Sequence, residues 1–223
     1  MTVRINNTVF SKLSKADIDA WEGAEAASVS DCLERSMAMD GGLFSLDHGS
    51  RLIGQARTVQ CMVGDNSALH VALEAAEPGE VLVADAGAHL GNAVWGGLMT
   101  YAAISKGIKG LVVDGAVRDR TEIVKLGFPC YVRGCTPAGP HKGFGGALDG
   151  TISCGGVPVR SGDLIVADGD GVSVIPLERV NTTLAQYRDL KAREKATIKK
   201  ICLLYTSDAA DEGLGVDLGG RRI

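Results

Sequence analysis

Between residues 51 and 127, short apolar runs alternate with stretches in which apolar residues recur at helical spacing. "RLIGQARTVQCMV" (51–63) alternates as a half-buried strand does. "DNSALHVALEAAEPG" (65–79) reads as a helix capped by Asp65 or Asn66 and stopped by Pro78-Gly79. "EVLVADAG" (80–87) is a short, continuously apolar strand, and "IKGLVVDG" (108–115) is another. Between them, "NAVWGGLMTYAAISKG" (92–107) predicts a helix with small residues on one side and Gly107 at its end. Upstream, "SVSD" (28–31) fits a capping box that opens a short helix through about Met37.

This order predicts a partly parallel sheet covered by helices. After Pro129 the pattern changes to short β runs, "CYVRG", "TISCGGVPV" and "DLIVADGDGVSVIP", separated by Gly-Asp and Pro turns. Such spacing predicts antiparallel strands. "LERVNTTLAQYRDLKAREKATIKK" (177–200) predicts a long charged helix, polar over most of its circumference. Such a helix packs along one stripe or against another subunit. No linker or repeat divides the chain, so a single α/β domain is expected.

Composition narrows this picture. The chain has 223 residues, 45% of them apolar, with 30 glycines and only 4% aromatic residues. An aliphatic core with many tight turns is expected rather than a base-stacking surface. A net charge of −4 argues against a nucleic-acid binder. The six cysteines form no C-x-x-C pair, which removes the usual support for a zinc ribbon or a thioredoxin-like site. The first fifteen residues lack the apolar core of a signal peptide, and no apolar run approaches the roughly 18 residues of a membrane span. A reduced, cytoplasmic protein is expected, with no membrane partner.

The final stretch, "CLLYTSDAADEGLGVDLGGRRI" (202–223), resembles the translation of a sequencing-library adapter. On that resemblance, residues 1–201 form the natural domain and 202–223 a non-native tail, to be set aside from fold reasoning.

Candidate chemistry gathers at strand ends. In open α/β sheets, ligands bind beyond the carboxyl ends of the strands. Asp65, Asn66, Asp85, Asp114, Arg118 and Asp119 occupy such ends. In "VVDGAVRDR", Arg118 offers a planar fork for a carboxylate, and Asp119 a hard oxygen ligand suited to Mg²⁺ or Mn²⁺. Together they match a 2-oxo acid. On spacing alone the same residues also fit a helix cap (Asp119, before "RTEIVKLG") and a surface ion pair (Arg118). His70, His141 and Trp95 read more simply as packed or exposed residues. Lys142 is the nearest lysine for a Schiff base, but its glycine-rich setting looks solvated. "GFGG" (143–146) lacks the context of a phosphate loop.

The segments "GNAVWGGLMTYAAISKGIKGLVVDGAVRD", "DNSALHVALEAAEPGEVLVADAG" and "TPAGPHKGFGGALDGTISCGGVPVRSGDLIVADGDGVSVIP" resemble the RraA-like family. That family holds the 4-hydroxy-4-methyl-2-oxoglutarate / 4-carboxy-4-hydroxy-2-oxoadipate aldolases and the regulator of ribonuclease E activity A. The resemblance extends from roughly Val29 to Lys200. It implies a layered β/β/α sandwich, assembled as a homotrimer or hexamer with sites between subunits. It implies a metal-dependent lyase that cleaves 4-hydroxy-2-oxo acids to pyruvate through a metal-stabilised enolate, and that also decarboxylates oxaloacetate. Arg118 matches the family arginine that grips the pyruvate moiety, and Asp119 the aspartate that binds the divalent ion. Gly96, Gly97, Leu98 and Met99 match the loop whose amides hold the substrate. Glu194 is the candidate for a glutamate that reaches a neighbouring subunit's site.

One position departs. Aldolases of the family carry an acid where this chain has Gly97, which puts aldol cleavage in question more than metal binding. Asp65, Asp85 or Glu194 are the candidates to compensate. The alternative reading is a non-catalytic regulator that binds a ribonuclease. A quinone-precursor methyltransferase finds no glycine-rich nucleotide loop here.

Overall fold

The computed structural model describes residues 2–212, with side chains through residue 202. In chain order the elements begin with β1 (Val3–Ile5), α1 (Lys15–Asp19), α2 (Ala26–Cys32), β2 (Phe44–Ser45), β3 (Leu52–Cys61) and α3 (Ser67–Ala75). Then come β4 (Val81–Trp95), α4 (Gly97–Ser105), β5 (Gly110–Val117), α5 (Arg120–Lys125) and β6 (Cys130–Cys135). Short strands follow: β7 (Gly146–Leu148), β8 (Thr151–Cys154), β9 (Val157–Arg160), β10 (Leu164–Asp168) and β11 (Gly171–Ile175). A 3₁₀ turn (Leu177–Arg179) leads into α6 (Val180–Glu212).

Strands β3, β4, β5 and β6 are parallel neighbours. β2 closes the β6 edge antiparallel, and β7 pairs antiparallel with the end of β3. The first half of β3 pairs instead with β10, which pairs with β11, both antiparallel. β3 therefore belongs to two sheets. β8 and β9 form a separate antiparallel hairpin.

Strand alternation then sorts the core into layers. Leu82, Ala84, Leu111 and Val113 pack beneath α3 and α4 with Leu69, Ala72 and Ala103. Their alternating neighbours Val81, Val83 and Val112 pack the opposite way, against Ile152, Val159, Ile165 and Val174. The outer face of β10 and β11, through Leu164, Val166 and Ile175, is covered by Val29 of α2 and Val180 of α6, with Trp21. The result is the expected β/β/α sandwich, with α2 and α6 as an added outer layer. Every residue of β5 is buried, as a strand covered on both faces requires.

Several boundaries move. The helix expected over 92–107 starts only at Gly97, because β4 continues through Trp95. Ala93 and Trp95 pair in register with Ala116 and Val117 of β5, while the Ala93 N–H donates to Ala138 O at 2.8 Å and Trp95 O accepts from Arg118 N–H, so these peptide groups are committed outside a helix. The expected capping box at Ser28 is absent. α2 starts at Ala26 after Glu25, and the buried Ser28 hydroxyl donates back to the Glu25 carboxylate at 3.1 Å. The helix stops at Cys32 rather than near Met37, since Glu34 and Arg35 take left-handed φ values of 59° and 61°. The helix expected over 177–200 begins at Val180 and crosses residue 201 without interruption. Apart from Cys202, the side chains of the tail expected at 202–223 lie outside the described residues. Among the described residues no helix is long and apolar enough to cross a membrane.

Candidate active site

Two helices start side by side where β4 and β5 end. Gly96 is fully extended (φ −167°, ψ −172°), and its carbonyl accepts from Thr100 N–H at 3.1 Å, the first bond of α4. Helix geometry leaves the N–H groups of Gly97, Leu98 and Met99 without carbonyl partners. The N–H of Gly97 donates to Asp119 Oδ2 at 2.9 Å. Those of Leu98 and Met99 remain at the positive end of the helix.

Asp119 stands at the N-cap of α5 but does not cap it. Its backbone is left-handed (φ 59°, ψ 34°), and its side chain makes no bond to α5. Asp and Asn tolerate this region better than most residues. The twist turns the carboxylate across to the start of α4. Arg118 is held by its own N–H to Trp95 O at 3.0 Å, and its Nε lies 3.6 Å from Asp119 Oδ2. The simple helix cap is thus ruled out for α5, while the ion pair is present and links two neighbours in the chain.

Glycine at 96 leaves room for this crossing as it stands. A Cβ there would lie 2.7 Å from Asp119 Oδ2 and 3.1 Å from Arg118 Cγ. At Gly97 the occupant is one that the sequence pattern did not reveal. The Glu122 carboxylate fills the space where a Cβ would stand, with Cδ at 2.8 Å, and Asp119 Oδ2 is 3.6 Å from the same point. The Glu122 carboxylate has no hydrogen bond or ion pair among the described residues. An acid three residues into a short helix, after Asp119, is the spacing that puts both side chains on one side. That was the available signal.

A cleft of about 110 Å³ opens beside these residues. Its walls include Asn66, His70, Leu98, Met99, Arg118, Asp119 and Lys142, with Trp95 at its base. Trp95 is buried, donates to Thr100 Oγ1 at 2.8 Å and stacks on Phe128. It is a packing residue under the α4 loop. Arg118, Asp119, Gly96, Leu98 and Met99 therefore meet in one place, and Gly97 joins them through its N–H.

Other sequence candidates separate. Asp65 is buried, and its carboxylate accepts the N–H groups of Ser67 at 2.8 Å and Phe144 at 3.0 Å. It thereby holds the first N–H of α3, whose N-cap is Asn66 without a side-chain bond, and pins the loop at Phe144. Burial works to raise its pKa, but these hydrogen bonds outweigh burial and hold it below the ordinary aspartate value. Asp114 faces the opposite side of the sheet, paired with Arg133 and accepting from Gly155 N–H at 2.9 Å. Asp85 is its register partner on β4 and accepts from Gly87 N–H at 2.8 Å. His141 packs on Phe144. Glu194 lies on α6, bound to Lys191 at 2.6 Å, and Lys191 reaches Glu25 at 2.8 Å. It is not a wall of this chain's cleft. The thiol of Cys61 is pushed up to about 12, chiefly by burial, and burial likewise raises those of Cys130 and Cys154.

The ends of β4 and β5 thus bring an arginine, an aspartate and the first amides of α4 together at one cleft of an α/β protein. The chain belongs to the RraA-like family: residues 26–174 match the Aldolase/RraA model. It is 39% identical over 191 residues to a putative 4-hydroxy-4-methyl-2-oxoglutarate aldolase of Halalkalibacterium halodurans, covering 82% of this chain and 91% of that protein. It is 31% identical over 153 residues to the 4-hydroxy-4-methyl-2-oxoglutarate aldolase of Thermus thermophilus, covering 69% and 93%. Among solved structures, Streptomyces coelicolor RraAS2, described as an unusual member of the RNase ES inhibitor RraA family, superposes with a TM-score of 0.77. It is 28% identical over 85% of this chain and all of that one.

Proposed function

We propose that this protein is a divalent-metal-dependent lyase that cleaves 4-hydroxy-2-oxo acids to pyruvate and decarboxylates oxaloacetate. The observation that carries the reading is the meeting of Arg118, Asp119 and the first amides of α4 in one cleft. Relatives named as aldolases support it.

The carboxylate of a 2-oxo acid suits the amides of Leu98 and Met99. The Arg118 fork suits the keto oxygen, on which the electron pair comes to rest as the C3–C4 bond breaks. Asp119 would hold the cation, Mg²⁺ or Mn²⁺. Among the described residues no three His, Cys, Asp or Glu side chains converge. A carboxylate site of this kind fits Mg²⁺, which keeps waters and takes substrate oxygens to complete its shell. When bound, the ion supplies electrophilic stabilisation of the developing negative charge.

The cleft opens beside Leu98, which is 84% exposed, and Tyr101, half exposed on the same helix. An apolar helix face of this kind supports assembly into a homotrimer or hexamer, with Glu194 entering a neighbouring subunit's cleft. The cytoplasm is the compartment in which we place it.

The test is pyruvate release from 4-hydroxy-4-methyl-2-oxoglutarate and from oxaloacetate, with Mg²⁺ or Mn²⁺ and then with EDTA. EDTA-sensitive turnover that disappears in Asp119→Ala is expected. Turnover no higher than that of free metal would overturn the lyase reading and favour the ribonuclease-binding alternative.

A further inference from the structure

We propose that Arg120 is a specificity-determining residue, and that the groove it shares with Arg118 receives a second carboxylate at the far end of the substrate. The inference rests on the proposed lyase reading and adds to it a preference among 2-oxo acids.

The first observation is space. The cleft beside α4 holds about 110 Å³, well below the roughly 300 Å³ at which small-molecule pockets usually begin. That accommodates the reacting end of a 2-oxo acid and leaves little room for the rest. A second cavity, of about 370 Å³, lies across Arg118 and Asp119, which border both. Its other walls are Arg120, Cys135, Thr136 and Pro137. β5 and β6 are parallel neighbours whose ends are in register at Val117 and Cys135, and Thr136 N–H donates to Val117 O at 3.0 Å. The loop that leaves β6 is thereby fixed beside the start of α5. A ligand whose keto oxygen meets Arg118 can continue across this border into the second cavity.

The second observation is charge. Arg118 is offset by Asp119 at 3.6 Å. Arg120 has no ion pair among the described residues, and its Nη2 donates to Leu46 O at 3.3 Å. That bond ties the side chain to the body and leaves most of its five-donor fork free. Its charge is felt inside the groove, where it works against the rise that burial imposes on the Cys135 thiol. The Thr136 hydroxyl oxygen accepts Ala138 N–H at 3.5 Å, and its own hydrogen has no acceptor among the described residues. A planar cation and a hydroxyl donor bordering one space suit a carboxylate. The acid on the border, Asp119, is turned to the Gly97 N–H, so it does not take up the Arg120 charge.

The two arginines then divide the work. Arg118 meets the reacting oxygen, and Arg120 reads the other end. An acid with a distal carboxylate should be preferred over one that ends in a methyl group.

Two acids that retro-aldol chemistry cannot cleave test this by calorimetry on the full chain with Mg²⁺: pyruvate, which lacks a distal carboxylate, and 2-oxoglutarate, which has one. Wild type is expected to bind 2-oxoglutarate about tenfold or more tightly than pyruvate. Arg120→Ala should bring the ratio of the two affinities close to one. Arg120→Lys should keep part of it, since a charge remains without the fork. The wild-type ratio should fall as salt is raised, because Arg120 is exposed. Turnover gives a parallel measure. KM for 4-hydroxy-4-methyl-2-oxoglutarate should rise about tenfold in Arg120→Ala while kcat changes far less, a split that general damage to the site would not produce. Circular dichroism checks that each variant folds. A folded Arg120→Ala protein that keeps the wild-type ratio would overturn the role of Arg120. A wild-type ratio near one would overturn the second-carboxylate site. Both results leave the lyase reading standing. Binding of neither acid by wild type would overturn this proposal together with the 2-oxo acid reading on which it rests.

Discussion

Asp119 carries three demands at once: a left-handed backbone, a hydrogen bond to Gly97 and a negative charge. Substitution separates them. Asparagine keeps the first two, since it tolerates left-handed φ and its carbonyl accepts a hydrogen bond. Asp119→Asn is therefore expected to unfold within a degree or two of wild type while losing metal-dependent turnover. Asp119→Ala should also lose about 1–2 kcal/mol of stability from backbone strain. Thermal melts beside pyruvate assays distinguish the two. Asp65 shows the opposite character, a carboxylate fully committed to the fold. Its folded-state pKa is depressed, so its stabilisation is present above the unfolded value of about 3.9 and is lost as pH falls through the folded value. Asp65→Asn should cost about 1–3 kcal/mol at neutral pH. The deficit should shrink in urea titrations carried out at progressively lower pH, and an equal deficit at all pH values would contradict this account.

At the scale of elements, the start of α4 sets what the cleft can do. Gly96→Ala places a Cβ against Asp119 and Arg118. It should lower kcat/KM by well over tenfold, with a stability change of about 1 kcal/mol or less, because both side chains can swing outward into solvent. The sequence made β3, β5 and α3 legible, since their apolar periods are clean. It misplaced the α4 boundary because Asn92, Ala93 and Val94 carry no mark separating strand from helix. The deciding factor is pairing with β5, a long-range contact that local spacing does not contain. Arg118 and Asp119 were legible as a pair through chain adjacency and family resemblance. The capping of α4 by Asp119 was not, because a left-handed residue redirects its side chain away from its own helix. Glu122 escaped notice for a related reason. Its meaning depends on the empty side-chain position at Gly97, which comes close only after β4 and β5 align.

Across the whole molecule, α6 ties Glu194 through Lys191 to Glu25, on the far layer from the helices that cover the cleft. A role for Glu194 in turnover must then be exerted on another subunit. Glu194→Ala and Asp119→Ala proteins, each impaired alone, are expected to recover activity when co-refolded as mixed oligomers. No recovery would confine the site to one chain. The burial of β5 has a different bearing, on the order in which the protein comes apart. This strand is hydrogen-bonded on both sides and covered on both faces, so its amides belong among the last to exchange with solvent. Arg118 and Asp119 follow directly from its end. The two charges thus hang from the most persistent part of the native state, and loss of activity on heating should coincide with global unfolding rather than precede it.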